Sequence, residues 1–149
     1  MLVVADTSPI NYLVLLEQTV VLPALYTRVF LPPAVVTELQ DPEAPEEVRA
    51  WVAGLPVWCE VRHPAPLRET EILAHLGAGE REAILLAHEL RADVLLIDEE
   101  DGRQAARSRA LTVTATLGIL ERATEHAAVL ICLVHWPNSS PPPFVSGTS

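Results

Sequence analysis

The chain reads as an α/β sandwich of three layers, α/β/α, around a mainly parallel sheet. Two observations predict this. Short runs without a polar residue, Leu2–Ala5 and Val94–Ile97, have the composition of strands buried on both faces. Between such runs lie stretches with helical periodicity, and alternation of the two is the signature of parallel β-α-β units. A third observation bounds the answer: 149 residues, half of them hydrophobic but only 5% aromatic, make one domain with an aliphatic core.

The elements follow in order. Leu2–Ala5 is the first strand and ends at Asp6. Thr7 or Ser8 suits a helix cap and Pro9 a first turn, so a helix to about Glu17 follows. A short helical turn after Leu22 precedes a second strand, Val29–Leu31, stopped by Pro32 and Pro33. Ala34–Gln40 reads as a helix carrying Glu38, and Glu46–Ala53 as an amphipathic helix closed by Gly54. Val57–Val61 is rich in β-formers. Leu67–Leu76 is helical, and Gly77 to Gly79 breaks it. Glu80–Leu90 is the clearest helix, with Ala83, Leu86, Ala87 and Leu90 on one face. Val94–Ile97 is a strand ending at Asp98, Gly102–Arg109 a helix, Leu111–Val113 a last strand and Leu117–Ala127 a last helix. No internal repeat is present.

Residues 1–127 thus form the folded domain. Residues 128–149 form a different segment, because no Asp, Glu, Lys or Arg occurs after Glu125 and the end is rich in Pro and Ser.

Charge narrows the chemistry. Twenty acids face ten bases, for a formal net charge of −10, and every base is Arg. Without Lys there is no Schiff-base lysine and no phosphate-clamping lysine of the Walker type. A broadly basic nucleic-acid coat is excluded as well, so nucleic acid would need a local Arg cluster or a metal to receive it. Cys59 and Cys132 allow one disulfide but read as reduced thiols. The lack of Arg before Arg28 argues against a secretory signal, and the longest apolar runs are too short to span a bilayer. A cytoplasmic location without membrane attachment is the expectation. The five histidines are scattered without metal-ligand spacing, and Trp51, Trp58 and Trp136 read as packing residues.

Ligands of an open parallel sheet bind beyond the carboxyl ends of its strands. Two strands deliver an acid at that point, Asp6 and Asp98. Glu38 lies on the helix after the second strand, and Glu80 and Glu82 open the helix that leads to the Asp98 strand. An Asp in this position commonly does no more than cap the next helix. Several carboxylates converging at one sheet edge, however, repel each other unless a cation sits among them, and an all-oxygen set selects Mg²⁺ or Mn²⁺.

Four segments in this order, Val4-Ala5-Asp6-Thr7-Ser8, Pro33-Ala34-Val35-Val36-Thr37-Glu38, Gly79-Glu80-Arg81-Glu82-Ala83-Ile84 and Leu95-Leu96-Ile97-Asp98, resemble the PIN-domain nucleases of the VapC-like toxin group. The resemblance spans roughly residues 2 to 121. It implies a PIN-like fold, dependence on Mg²⁺ or Mn²⁺, endonucleolytic cleavage of single-stranded RNA, and a small antitoxin protein as partner; a homodimer is also compatible. Carried over by position, it makes Asp6, Glu38, Glu80 or Glu82, and Asp98 the catalytic acids. Asp6 and Asp98 would hold the cation, with Glu82 and Asp101 as further metal ligands. Thr7, Ser8 and Thr114 would hydrogen-bond the ligand carboxylates, as Thr116 could, and Arg103 and Arg107 would receive the RNA backbone. Glu80 and Glu82 are equal candidates for the third acid. The charge-free end departs from the family, whose members continue with charged helical sequence.

Two other classes compete. A phosphoryl-transfer protein also places Asp at strand ends, but a receiver domain needs a Lys after its last strand. A haloacid-dehalogenase-like phosphatase needs an Asp two residues after the first, where Ser8 stands. The third class is a catalytically inactive PIN-like binding module.

Overall fold

The computed structural model describes residues 1–66 and 73–135, with side chains as far as Ala127. Its sheet has five parallel strands: β1 (Leu2–Ala5), β2 (Arg28–Leu31), β3 (Cys59–Val61), β4 (Val94–Leu96) and β5 (Val113–Thr114). Their order is β3-β2-β1-β4-β5. The chain winds outward from β1 to β3, then crosses back to lay β4 on the other side of β1. The β1/β4 crevice is therefore the topological switch point, where an open α/β sheet offers its ligand site.

Among the described residues, seven helices cover the sheet: α1 (Thr7–Leu15), α2 (Val21–Leu25), α3 (Pro33–Leu39), α4 (Glu46–Ala53), α5 (Ala78–Leu90), α6 (Glu100–Ser108) and α7 (Thr116–His135). The pleat sorts the strand residues between two layers. Val3, Ala5, Val29, Leu31, Val94 and Leu96 pack with α1–α4 and α7. Val4, Phe30, Leu95 and Ile97 pack with α5 and α6. Both sets are almost fully buried, which explains why these strands read as unbroken apolar runs.

Sequence and structure differ in a few places. Of the stretch Gly77–Gly79 only Gly77, the N-cap of α5, is non-helical; α5 begins at Ala78, and Gly79 lies inside its first turn. Helix α7 continues beyond Ala127 to His135, into the segment assigned to the tail. Backbone hydrogen bonds inside a helix need no charged residue, so the change of composition at Glu125 does not mark a boundary of secondary structure. Residues 67–72 of the expected Leu67–Leu76 helix lie outside the described residues, as do Trp136 and the rest of the tail. Leu73–Leu76 form turns, with Leu73 and Leu76 buried.

Trp51 and Trp58 pack on each other with ring centroids 6.2 Å apart, as core residues. Cys59 is a buried free thiol whose pKa burial pushes up to about 12, which leaves it inert; the Cys132 side chain lies outside the described ones. Among the described residues, no helix is long and apolar enough to cross a membrane.

Candidate active site

Asp6 follows β1 directly. Strand parity places it on the side of Val4, toward α5 and α6. Its side chain is only 3% exposed, and its Oδ1 is buried without a hydrogen-bond partner. The residue occupies the N-cap position of α1, yet its carboxyl makes no capping bond. Its carboxyl is therefore not held as an ordinary side-chain cap. Burial pushes its pKa up to about 7, and Glu80, Glu38 and Glu99 raise it further, against the pull of the Thr7 backbone N–H. A buried oxygen with no donor, facing other acids, is costly unless a cation compensates it.

Glu38 reaches the same place from α3. Its carboxylate accepts a very short hydrogen bond from the Thr7 hydroxyl and a 3.3 Å bond from the Gly79 N–H. That approach requires glycine: a Cβ at position 79 would stand 2.6 Å from Glu38 Oε2. Glu80 enters from the first turn of α5. Burial raises its pKa, helped by Glu99, Glu38 and Asp101, while His75 opposes. Its carboxylate lies against Gly102 of α6, where a Cβ would stand 3.0 Å from Oε2 and 2.5 Å from Ile97 Cδ1. Gly79 and Gly102 thus make room for two acids, a signal that the sequence holds but that motif reading misses.

The two candidates for the third acid differ in their partners. Glu82 Oε1 accepts the backbone N–H of Ala34 at 3.2 Å, which satisfies an orphan donor at the start of α3. Glu80 is the one that shares a field with Asp6.

Asp98, expected to share a cation with Asp6, lies with Leu96 by strand parity, on the side of α1 and α7. Both its oxygens are engaged there, Oδ1 by the Thr116 N–H and Oδ2 by the Thr116 hydroxyl, each at 2.8 Å. Asp98 caps α7 from outside the helix. Glu99, the next residue, contributes to the field at Asp6 instead. Asp101 stands exposed in the first turn of α6 and acts on Glu80 only through its charge.

Of the supporting hydroxyls, Thr7 holds Glu38, and Thr116 rather than Thr114 holds Asp98. Among the described residues, Ser8 makes no bond to a carboxylate. Arg107 reaches Glu100 at 3.6 Å on the exposed face of α6. Arg103 has its Nε buried without a partner.

Among the described residues, no three acidic, His or Cys groups converge as a ready-made metal cage. Glu38, Glu82 and Asp98 are spent on protein donors, while the Asp6 Oδ1 and the Glu80 carboxylate are not. Mg²⁺ suits such a site, since it keeps several waters and takes one or two carboxylates plus substrate phosphate. The unpartnered Asp6 oxygen and the all-oxygen surroundings fit a hard divalent cation.

The comparisons with known proteins agree with this architecture. No curated protein matches the chain. Among solved structures, a PilT N-terminus domain protein from the hyperthermophilic archaeon Sulfolobus solfataricus is similar to it in fold, with a TM-score of 0.61 at 16% identity, covering 85% of this chain and 96% of the other. A family model described as a PIN domain matches residues 2–131, and the chain belongs to that family, whose members are generally nucleases.

Proposed function

We propose that this PIN domain is a Mg²⁺- or Mn²⁺-dependent endoribonuclease that cleaves single-stranded RNA, and that it is the toxin of a toxin–antitoxin pair held in check by a small antitoxin protein. The observation that carries the enzymatic reading is the buried, unpartnered Asp6 oxygen at the β1/β4 switch point, with Glu80 and Glu38 beside it. The toxin reading rests on the resemblance of the four acid-bearing segments to the VapC-like group.

Asp6 and Glu80 would hold the cation, which supplies Lewis acidity and a water of lowered pKa. Glu38, held by Thr7 and Gly79, would orient the attacking water through the lone pairs its carboxylate has left. Glu99 adds negative charge at the rim. In-line attack on the phosphodiester expels the 3′ oxygen and leaves a 5′-phosphate. The guanidinium of half-buried Arg103 would meet an RNA phosphate through its terminal nitrogens. Elsewhere the acidic surface limits RNA contact to the neighbourhood of the site.

The test is cleavage of a labelled single-stranded RNA with Mn²⁺ or Mg²⁺. Asp6→Asn keeps the shape and removes the charge, so activity is expected to fall at least a hundredfold and wild-type activity to vanish in chelator. Cleavage that persists in the variant or in chelator refutes the metal mechanism.

A further inference from the structure

We propose that the groove between the end of α1 and the start of α7 is a docking site for a basic amphipathic helix of a partner protein. The groove encloses about 530 Å³ and is floored by apolar side chains. Tyr12, Leu16 and Leu117 line it at 51%, 54% and 74% exposure, although large apolar residues of this kind are ordinarily covered. The apolar surface continues along α7 from Leu120 to Ala123 and Ala127. Large contiguous apolar patches with a polar rim mark interaction surfaces.

The rim identifies the occupant. Glu121 and Glu125 border the α7 side, and exposed Glu17 follows directly on Leu16. Arg122 of α7 sits instead beside Tyr26. An acidic border on a molecule of net charge −10 favours a cationic partner and repels both a second copy and an anionic lipid surface. The shape favours a helix: from Leu117 to Ala127, α7 offers about 15 Å, or three turns, beside the end of α1, a geometry suited to helix-in-groove binding. The proposal stands apart from the nuclease reading, because neither Leu16 nor Leu117 belongs to the acid cluster.

The test is fluorescence anisotropy with the full chain and two synthetic 16-residue helical peptides. Both carry one Leu/Ala face; the opposite face is Arg/Lys in one and Glu in the other. The basic peptide is expected to bind at least tenfold more tightly than the acidic one. Leu117→Glu, Leu16→Glu and the double reversal Glu121→Arg with Glu125→Arg are each expected to weaken it tenfold or more, with far-UV circular dichroism unchanged. Should Leu117→Glu fail to fold, the other two variants decide. Equal binding of both peptides overturns the proposal, and so do folded variants that bind like wild type. Sedimentation showing a wild-type dimer that Leu117→Glu splits assigns the groove to a second copy. Pelleting with anionic vesicles that Leu117→Glu abolishes assigns it to a membrane. Either result overturns the proposal too.

Discussion

Asp6 and Asp98 look alike in the sequence, each an acid directly beyond an apolar strand, but the folded chain uses them in opposite ways. Both oxygens of Asp98 are satisfied by Thr116, so its negative charge is neutralised by hydrogen bonds and by the start of α7. Asp6 keeps an oxygen buried with no donor, among other acids. One-residue parity decides the difference. A side chain two residues beyond Leu96 faces α7, where the free N–H groups of a helix start are waiting. A side chain two residues beyond Val4 faces α5, whose first turn brings Glu80. The first acid stabilises the fold, whereas the second strains it and is free for chemistry.

The largest expected consequence is in pH dependence without metal. Asp6 has a folded-state pKa of about 7 against an ordinary 3.8. Between these values the folded chain binds more protons than the unfolded one, so stability falls as pH rises from about 4 to 7, by up to a few kcal/mol. Chemical denaturation in chelator is expected to show that fall. In Asp6→Asn the Asp6 contribution to it disappears, and the variant melts no lower than wild type at pH 7 and above. A wild-type chain that gains stability across this window would show that Asp6 is paired after all.

Metal response comes next in size. A divalent ion that binds only the folded state stabilises it by about 2 to 3 kcal/mol at a hundredfold excess over its Kd. Mn²⁺ is expected to raise the melting temperature several degrees more than NaCl of equal ionic strength. Asp6→Asn loses most of that rise. Asp98→Ala does the reverse: it lowers stability in chelator, by about 1 kcal/mol for a lost cap, and keeps most of the response to Mn²⁺. Loss of the response in Asp98→Ala alone would return Asp98 to the metal.

Gly102→Ala probes the room made for the strained side. The added methyl would meet Ile97 Cδ1 at 2.5 Å and Glu80 Oε2 at 3.0 Å. Overpacking of this kind costs about 1 to 3 kcal/mol. Thermal unfolding is expected to show that loss together with weaker Mn²⁺ stabilisation, since Glu80 must move. An unchanged metal response would place Glu80 outside the site.

Much of this was legible in the sequence. Apolar runs between helical stretches marked the five strands and their parallel arrangement, most clearly at β1 and β4, where burial on both faces leaves no polar residue to hide the pattern. Asp6, Glu38 and Glu80 were visible as acids at element ends. The partner of Asp98 was not. Thr116 suits a carboxylate partner on sequence alone, but its pairing with Asp98 depends on where α7 begins, which sequence does not fix. Nor could the sequence separate Glu80 from Glu82. Helical rotation puts them about 200° apart on α5, but which direction faces β1 is set by the packing of Ala83, Ile84 and Leu86 against the sheet.

That pair supplies the smallest and most discriminating comparison. Glu82 accepts a single N–H, that of Ala34 in the first turn of α3, and its side chain is half-buried. Glu82→Gln keeps a carbonyl oxygen for that donor, so stability is expected to change by no more than about 0.5 kcal/mol, the part due to charge near a helix N-terminus. The response to Mn²⁺ should stay intact. Glu80→Gln has no such bond to preserve; it removes a charge that opposes ionisation of Asp6. In chelator it is expected to lower the Asp6 pKa and to leave stability at neutral pH equal to or above wild type. With Mn²⁺ present it should lose much of the stabilisation, because one of two free carboxylates is gone. Paired titrations of the two variants, with melting temperature read against Mn²⁺ concentration, separate these roles within a single helical turn. If Glu82→Gln loses the metal response and Glu80→Gln keeps it, the third acid is Glu82, and the bond to Ala34 must break when the metal binds.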